Sequence, residues 1–252
     1  MSQLTLQEFS TLFRDAVSPD LPGFDAIYPT VTSEHCVDAL YAVTDKLIDN
    51  AKKFNLTSIL EPNEIIRKHL IDSLIPLGLL HNAGISFSSA LDVGTGAGFP
   101  LLPMACAADG VSFTGMDATA KKISHIRETA EFASLSNVSA VSGRAEELAK
   151  GELRQSFDLV CARAVAALPV LIELCAPFVR VGGHFCALKS HIEEELEPAD
   201  RAGKLLGLTN IAVIDYEIPG GDTRCLVLYR KTAPTPAKYP RRYAEITKRA
   251  LG

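Results

Sequence analysis

The chain has no tryptophan and no excess of positive charge, with 25 Lys and Arg against 30 Asp and Glu and a formal net charge of −5. It also has no apolar run of the roughly 18 residues that a membrane-spanning helix requires. The longest apolar region, 166–179, is interrupted by Pro169, Glu173 and Pro177. The N-terminus carries Glu8, Arg14 and Asp15 in an amphipathic pattern and lacks a basic start followed by an apolar core. No signal peptide is therefore expected, and the expected location is the cytoplasm. The six cysteines are scattered among apolar neighbours without a C-x-x-C pair, and the six histidines show no ligand spacing. Neither a metal site nor a disulfide framework is expected, and the sequon at Asn55-Leu56-Thr57 has no weight without a secretory signal.

The 252 residues suffice for one large domain, or one domain with an appendage. Leu40, Val43, Leu47, Ala51 and Phe54 recur every three or four residues and predict a helix capped by Ser33 and ending at Asn55. A second helix is expected from Pro62 to about Leu80, carrying Arg67, Lys68, His69 and Asp72. From Ser88 the pattern alternates. Strands are predicted at 90–93, 112–116, 138–142, 157–161 and 184–188, with helices at 101–108, 121–135 and 168–179 between them. A polar helix over 191–206 and two strands, 211–216 and 226–230, joined by Pro219-Gly220-Gly221-Asp222, complete the run. This order predicts an α/β fold of the Rossmann-like kind. It is a mostly parallel seven-stranded sheet with helices on both faces, one antiparallel strand and an N-terminal helical extension. The expected divisions are a helical region at 1–85, the core at 86–232 and a basic tail at 233–252. From Lys231 onward, Lys231, Lys238, Arg241, Arg242, Lys248 and Arg249 face one acidic residue, Glu245. Such a patch can bind phosphate despite the acidic total, and RNA contact is expected for Arg241 and Arg242.

The most informative stretch is Leu91-Asp92-Val93-Gly94-Thr95-Gly96-Ala97-Gly98-Phe99-Pro100. An apolar strand runs into Asp92 and then three glycines at alternate positions, which allow a loop to pass close under a ligand. Dinucleotide folds prefer G-x-G-x-x-G. The spacing here is G-x-G-x-G, the form seen in S-adenosylmethionine (SAM) dependent methyltransferases. In an open parallel sheet the loop after the first strand lies at the carboxyl edge where ligands bind. Asp117 closes the second strand 19 residues after Gly98 and is positioned for both ribose hydroxyls of an adenosine ligand. Ala145 and Glu146 follow the third strand, where a backbone N–H and a carboxylate can meet adenine; solvated loop charge is the other reading.

The fourth strand ends in Cys161-Ala162-Arg163-Ala164. It lacks the Asn/Asp-Pro-Pro-Tyr that holds an exocyclic amine and the Pro-Cys pair of pyrimidine C5 methylation. Arg163 remains as the notable polar group. A buried arginine needs a partner, and guanine presents O6 and N7 acceptors suited to its fork. Methylation of guanine N7 requires alignment and desolvation but no general base, because that lone pair carries no proton.

Several segments together resemble the bacterial ribosomal RNA small-subunit methyltransferase G family, also called glucose-inhibited division protein B. They are Asn55-Leu56-Thr57-Ser58-Ile59, Arg67-Lys68-His69-Leu70-Ile71-Asp72-Ser73-Leu74, the glycine loop, Gly143-Arg144-Ala145-Glu146-Glu147, Ala162-Arg163-Ala164-Val165-Ala166-Ala167-Leu168 and Ala187-Leu188-Lys189. The resemblance implies N7 methylation of one guanosine in 16S ribosomal RNA, with SAM as donor held by Gly94, Phe99, Ala145, Glu146 and Arg163. Ribosomal RNA or the small subunit would be the partner, the enzyme would be a monomer, and Arg67, Lys68 and Lys189 would touch RNA. Two departures stand out. Leu101-Leu102-Pro103 replaces the common Gly-Ile-Pro, and Lys189-Ser190 replaces Lys-Gly. A SAM enzyme for a small molecule or protein, and a non-catalytic ribosome-assembly factor, are the alternative readings.

Overall fold

The computed structural model describes residues 4–51, 56–163 and 165–252. Phe54, Asn55 and Ala164 lie outside the described residues. Among the described residues, five α-helices and a π-helical turn come first. Helix α1 (Leu6–Ala16) opens on a capping box, in which Thr5 Oγ1 accepts from Glu8 N–H and the Glu8 carboxylate accepts from Thr5 N–H. Helix α2 (Phe24–Val31) was not anticipated; it starts at Gly23 and encloses Pro29, so neither end bears the usual signal. Helix α3 (Glu34–Ala51) has the expected cap, with Ser33 Oγ accepting from Cys36 N–H.

The helix expected over 62–80 is in fact three pieces: α4 (Pro62–Ile65), a π-helical turn (Ile66–Ile71) and α5 (Asp72–Asn82). In the π turn the Asp72 N–H reaches back to Arg67 O, five residues away. Such turns re-aim side chains and are frequent at functional sites. Here it carries Arg67, Lys68 and His69.

The strands are β1 (Ser89–Val93), β2 (Ser112–Asp117), β3 (Val138–Ser142), β4 (Phe157–Arg163), β5 (Val179–Lys189), β6 (Leu208–Glu217) and β7 (Thr223–Lys231). They form one sheet in the order β3-β2-β1-β4-β5-β7-β6. All contacts are parallel except those of β7, which runs antiparallel to β5 and β6. The expected mostly parallel sheet with one antiparallel strand is what forms. Strand β5 begins five residues earlier than expected, because 179–183 continues the strand past an irregular register against β4. Helices α6 (Leu101–Cys106), α7 (Ala120–Phe132), α8 (Ala145–Leu148), α9 (Leu168–Cys175), α10 (Leu196–Leu206) and α11 (Tyr243–Lys248) complete the chain.

Alternate strand residues feed two hydrophobic layers. Leu159, Cys161, Cys186 and Leu188 face the layer that holds α1–α7, whereas Val160, Ala162, Phe185 and Ala187 face that of α9, α10 and Ile246 of α11. This two-sided burial gives the strands their near-continuous apolar character. All six cysteines are free and buried in these layers. Among the described residues no helix is long and apolar enough to cross a membrane.

The basic tail is only partly basic surface. Lys231 is buried, its Nζ donating to Ala176 O and Leu206 O, the carbonyl ends of α9 and α10, and to Thr235 Oγ1. Arg241 forms a fork on Glu173, which is fully buried on α9. Removing the arginine strands a buried carboxylate. Arg241→Ala is therefore expected to cost about 3 kcal/mol in urea unfolding, and adding Glu173→Leu is expected to recover much of that loss. A double variant no more stable than Arg241→Ala alone contradicts this account.

Candidate functional site

The carboxyl edge of the sheet carries two cavities, one on each side of the end of β4. The first, about 260 Å³, is lined by Gly94, Asp117, Ala145, Glu146, Val165 and Tyr243, among others. The second, about 550 Å³, is lined by Lys68, His69, Asp72, Arg163, Lys189 and Arg224, among others. Arg163 and Val165 stand two residues apart, one in each cavity.

The glycine loop is shaped by three different constraints. Gly94, Gly96 and Gly98 all have positive φ, at 76°, 58° and 94°. A Cβ on Gly94 would stand 2.7 Å from Val165 Cγ2, and one on Gly98 would stand 2.4 Å from Leu102 Cδ1. A Cβ on Gly96 would meet nothing nearer than Gly94 O at 3.8 Å, so a side chain there would project into open space. The N–H groups of Gly94 and Thr95 donate to Met116 O at 2.8 and 2.9 Å, which ties the loop to the end of β2.

Asp117 is held in the same knot. Its Oδ2 accepts from Gly96 N–H at 3.2 Å and faces Lys122 Nζ at 3.4 Å, while Oδ1 accepts from Thr119 N–H at 2.8 Å. It is not the cap of α7, whose N-cap is Thr119. Each carboxylate oxygen has acceptor capacity beyond these bonds. Ala145 and Glu146 begin the short helix α8 where a polar loop was expected, so their amides are first-turn donors without intrahelical acceptors.

Asp92 is different in kind. It is 3% exposed, and among the described residues neither of its carboxylate oxygens, nor the Thr95 hydroxyl beside it, has a hydrogen-bond partner. Burial pushes its carboxyl up to about 6, against the weaker pull of the Thr95 hydroxyl and the Arg163 guanidinium. An orphaned buried anion under a glycine loop fits a cationic ligand such as the sulfonium and amine of SAM.

In the larger cavity Arg163 binds Asp72 Oδ2 at 3.1 Å and Lys68 O at 3.4 Å. Asp72 also receives Tyr216 OH at 3.4 Å and faces Arg224 Nε at 3.5 Å. The Arg163 guanidinium lies 5.6 Å from the centre of the Phe99 ring, and His69 stacks on that ring at 4.6 Å. Burial, aided by the Arg163 charge, holds His69 down at about 4, so it is neutral at physiological pH. Its Nε2 meets Thr57 Oγ1 at 3.1 Å, and its buried Nδ1 has no hydrogen-bond partner among the described residues.

The expected site residues thus divide. Gly94, Asp117, Ala145 and Glu146 line the smaller cavity, while Arg163, Lys68 and Lys189 line the larger. Asp92, Gly98 and Phe99 line neither cavity: Asp92 borders a void of about 10 Å³ shared with Leu101 and Met104, Gly98 packs on Leu102 and Ile126, and Phe99 stacks on His69. Lys68 pairs with Glu64 at 2.5 Å and Lys189 with Glu195 at 2.8 Å. Arg67 serves packing instead, donating from Nε to Pro219 O and pairing with Glu64. A Cβ on Gly220 would collide with its guanidinium, so the hairpin turn closes onto Arg67. Arg241 is engaged with Glu173, and Arg242 is exposed at the start of α11. Sequence reasoning missed Tyr243 and Arg224, which carry no motif, and His69 and Asp72, which lie within the Arg67–Leu74 motif. Among the described residues no group of His, Cys, Asp and Glu is placed to hold a metal ion.

Comparisons with known proteins agree with this geometry. The family model described as rRNA small subunit methyltransferase G matches residues 37–219. A protein of Deinococcus radiodurans named ribosomal RNA small subunit methyltransferase G is 47% identical over 194 residues, 76% of each chain. One of the same name from Streptococcus sanguinis is 41% identical over 209 residues, covering 81% of this chain and 87% of that protein. A putative O-methyltransferase structure from Klebsiella pneumoniae aligns with a TM-score of 0.50 at 15% identity, over 76% of this chain and 90% of that one, and so shares the fold. The chain belongs to the rRNA small subunit methyltransferase G family.

Proposed function

We propose that this protein transfers the methyl group of SAM to N7 of a guanosine in 16S ribosomal RNA, acting on the RNA or the small subunit in the cytoplasm. The observation that carries the reading is the pair of cavities flanking the end of β4, one under the glycine loop and one walled by Lys68, His69, Arg163 and Lys189. The names of the relatives supply the substrate class. When bound, SAM offers a methyl carbon on a sulfonium; the N7 lone pair forms the new bond, the C–S bond breaks, and the positive charge passes to the base.

This chain then has to orient and desolvate. In this reading Asp117 accepts from the ribose hydroxyls and the Ala145 and Glu146 amides meet the adenine edge, supported by all three lining the smaller cavity. Asp92 supplies a buried negative charge toward the cationic end of the donor. Arg163 retains free N–H donors beyond its Asp72 bond, and donation to guanine O6 leaves the N7 lone pair unobstructed. Neutral His69 adds no charge beside a base that becomes cationic, and no residue need accept a proton. Lys68, in a half-exposed pair with Glu64, and the exposed Arg242 are cations available to phosphate, whereas Lys189 and Arg224 are more deeply held by Glu195 and Asp72.

Three measurements test this reading. Incubation with labelled SAM and small subunits or 16S RNA should label the RNA, with strand cleavage at N7-methylguanosine mapping one site; no transfer to either substrate refutes the proposal. Arg163→Ala should lower methyl transfer about a hundredfold through lost alignment, with a much smaller effect on SAM affinity; equal loss of both would make Arg163 a donor-binding residue only. For Asp92, the native carboxyl is raised to about 6 from an ordinary 3.8. It takes up its proton as pH falls through about 6, so SAM affinity should fall there. The charged form is a stability penalty that grows as pH rises from about 3.8 to about 6 and is fully present above that range. Asp92→Asn should therefore flatten the pH dependence of SAM binding and stabilise the ligand-free protein by about 2 kcal/mol near pH 8. Calorimetry and urea unfolding decide both, and an unchanged pH profile in the variant rejects the role of Asp92.

A further inference from the structure

The smaller cavity has a wall that the family match does not include. That match ends at residue 219, whereas Tyr243, the first residue of α11, lines the cavity together with Met116, Val165 and Leu174. Tyr243 is 39% exposed, although three residues later Ile246 is fully buried in the layer of α9. An exposed aromatic ring beside an apolar wall is an unfinished contact.

The segment that leads into Tyr243 is anchored. On one side, Arg241 donates to Glu173 through its backbone N–H at 2.9 Å and through Nε at 2.8 Å. On the other, Arg154 donates to Tyr239 O at 3.0 Å, Thr235 O at 2.8 Å and Ala149 O at 3.1 Å. Glu173 lies on α9 beside Leu174, and Ala149 caps α8, whose first residues line the opposite part of the cavity. The tail is therefore fastened to both walls of the pocket it borders. A tyrosine carried by this anchored segment, bordering the same cavity as Met116, Val165 and Leu174, has the chemistry of a nucleobase-covering side chain.

We propose that Tyr243 is a cofactor-binding residue that covers the adenine end of the donor cavity, which makes the C-terminal segment part of the donor site. The inference rests on reading that cavity as the adenosine site. The tail then acts through Tyr243 and the anchor Arg241, not through a uniform basic surface.

The absence of tryptophan from the chain makes a direct test available. Tyr243→Trp introduces the sole indole, whose emission should shift and quench as S-adenosylhomocysteine is added. In calorimetric titrations Tyr243→Ala should bind S-adenosylhomocysteine about tenfold more weakly, and Tyr243→Phe, which keeps the ring, should remain within about twofold of the unaltered protein. Adenosine should lose the same factor as S-adenosylhomocysteine, because the contact is at the nucleoside. Unaltered affinity in Tyr243→Ala, or a loss confined to S-adenosylhomocysteine, overturns the assignment of Tyr243 while leaving the cavity's identity intact. Failure of the unaltered protein to bind either compound overturns the cavity reading and this inference with it. Should Tyr243→Ala not fold, the tryptophan variant decides: emission unmoved at saturating S-adenosylhomocysteine rejects the contact.

Discussion

The buried pair of Asp72 and Arg163 is the interaction on which the two cavities depend. Arg163 ends β4 and Asp72 begins α5, so the 3.1 Å bond joins the helical N-terminal region to the central sheet. Tyr216 from β6 and Arg224 from β7 converge on the same carboxylate. One anion thus collects groups from three strands. Burial alone would lower the affinity of the Arg163 guanidinium for its proton, and Asp72 and Asp92 oppose that effect. Pairs of this kind contribute little net stability once desolvation is counted, but they fix geometry, because neither partner tolerates a change of neighbour. The geometry fixed here is that of the arginine at the mouth of the larger cavity.

Asp92 shows the opposite arrangement. Asp72 has three polar partners, whereas Asp92, more deeply buried still, has no hydrogen-bond partner among the described residues. A fold optimised only for stability would not retain an unpaired carboxylate beneath its tightest loop. The penalty becomes intelligible when a cation is expected above it. In the proposed function the two aspartates divide the work: one holds the architecture and the other supplies uncompensated charge toward a cationic donor.

Much of this was legible in the chain. The alternation from Ser88 onward yields the sheet, because two-sided burial demands continuous apolar strands. The spacing of Gly94, Gly96 and Gly98 after an apolar strand places a close-approach loop, because positive φ and a missing Cβ act locally. What escaped had non-local causes. The π turn at Ile66–Ile71 looks like ordinary helix in sequence, since its side-chain pattern matches until the backbone bonds are counted. The starts of α2 at Gly23 and of α8 at Arg144 have no side-chain cap to announce them.

The charged residues divide along the same line. Their presence in the tail and in the Arg67–Leu74 segment is plain in the sequence, but their partners are not. Lys231 and Arg241 turn inward because helix ends and Glu173 await them, and Arg67 turns toward a hairpin turn 152 residues away. The sequence by itself determined the α/β architecture, the glycine loop and the family, because these rest on short-range pattern. The partners of the cations, the lack of one for Asp92 among the described residues, and the place of Tyr243 beside the smaller cavity came only with the tertiary structure, because each depends on residues brought together from distant parts of the chain.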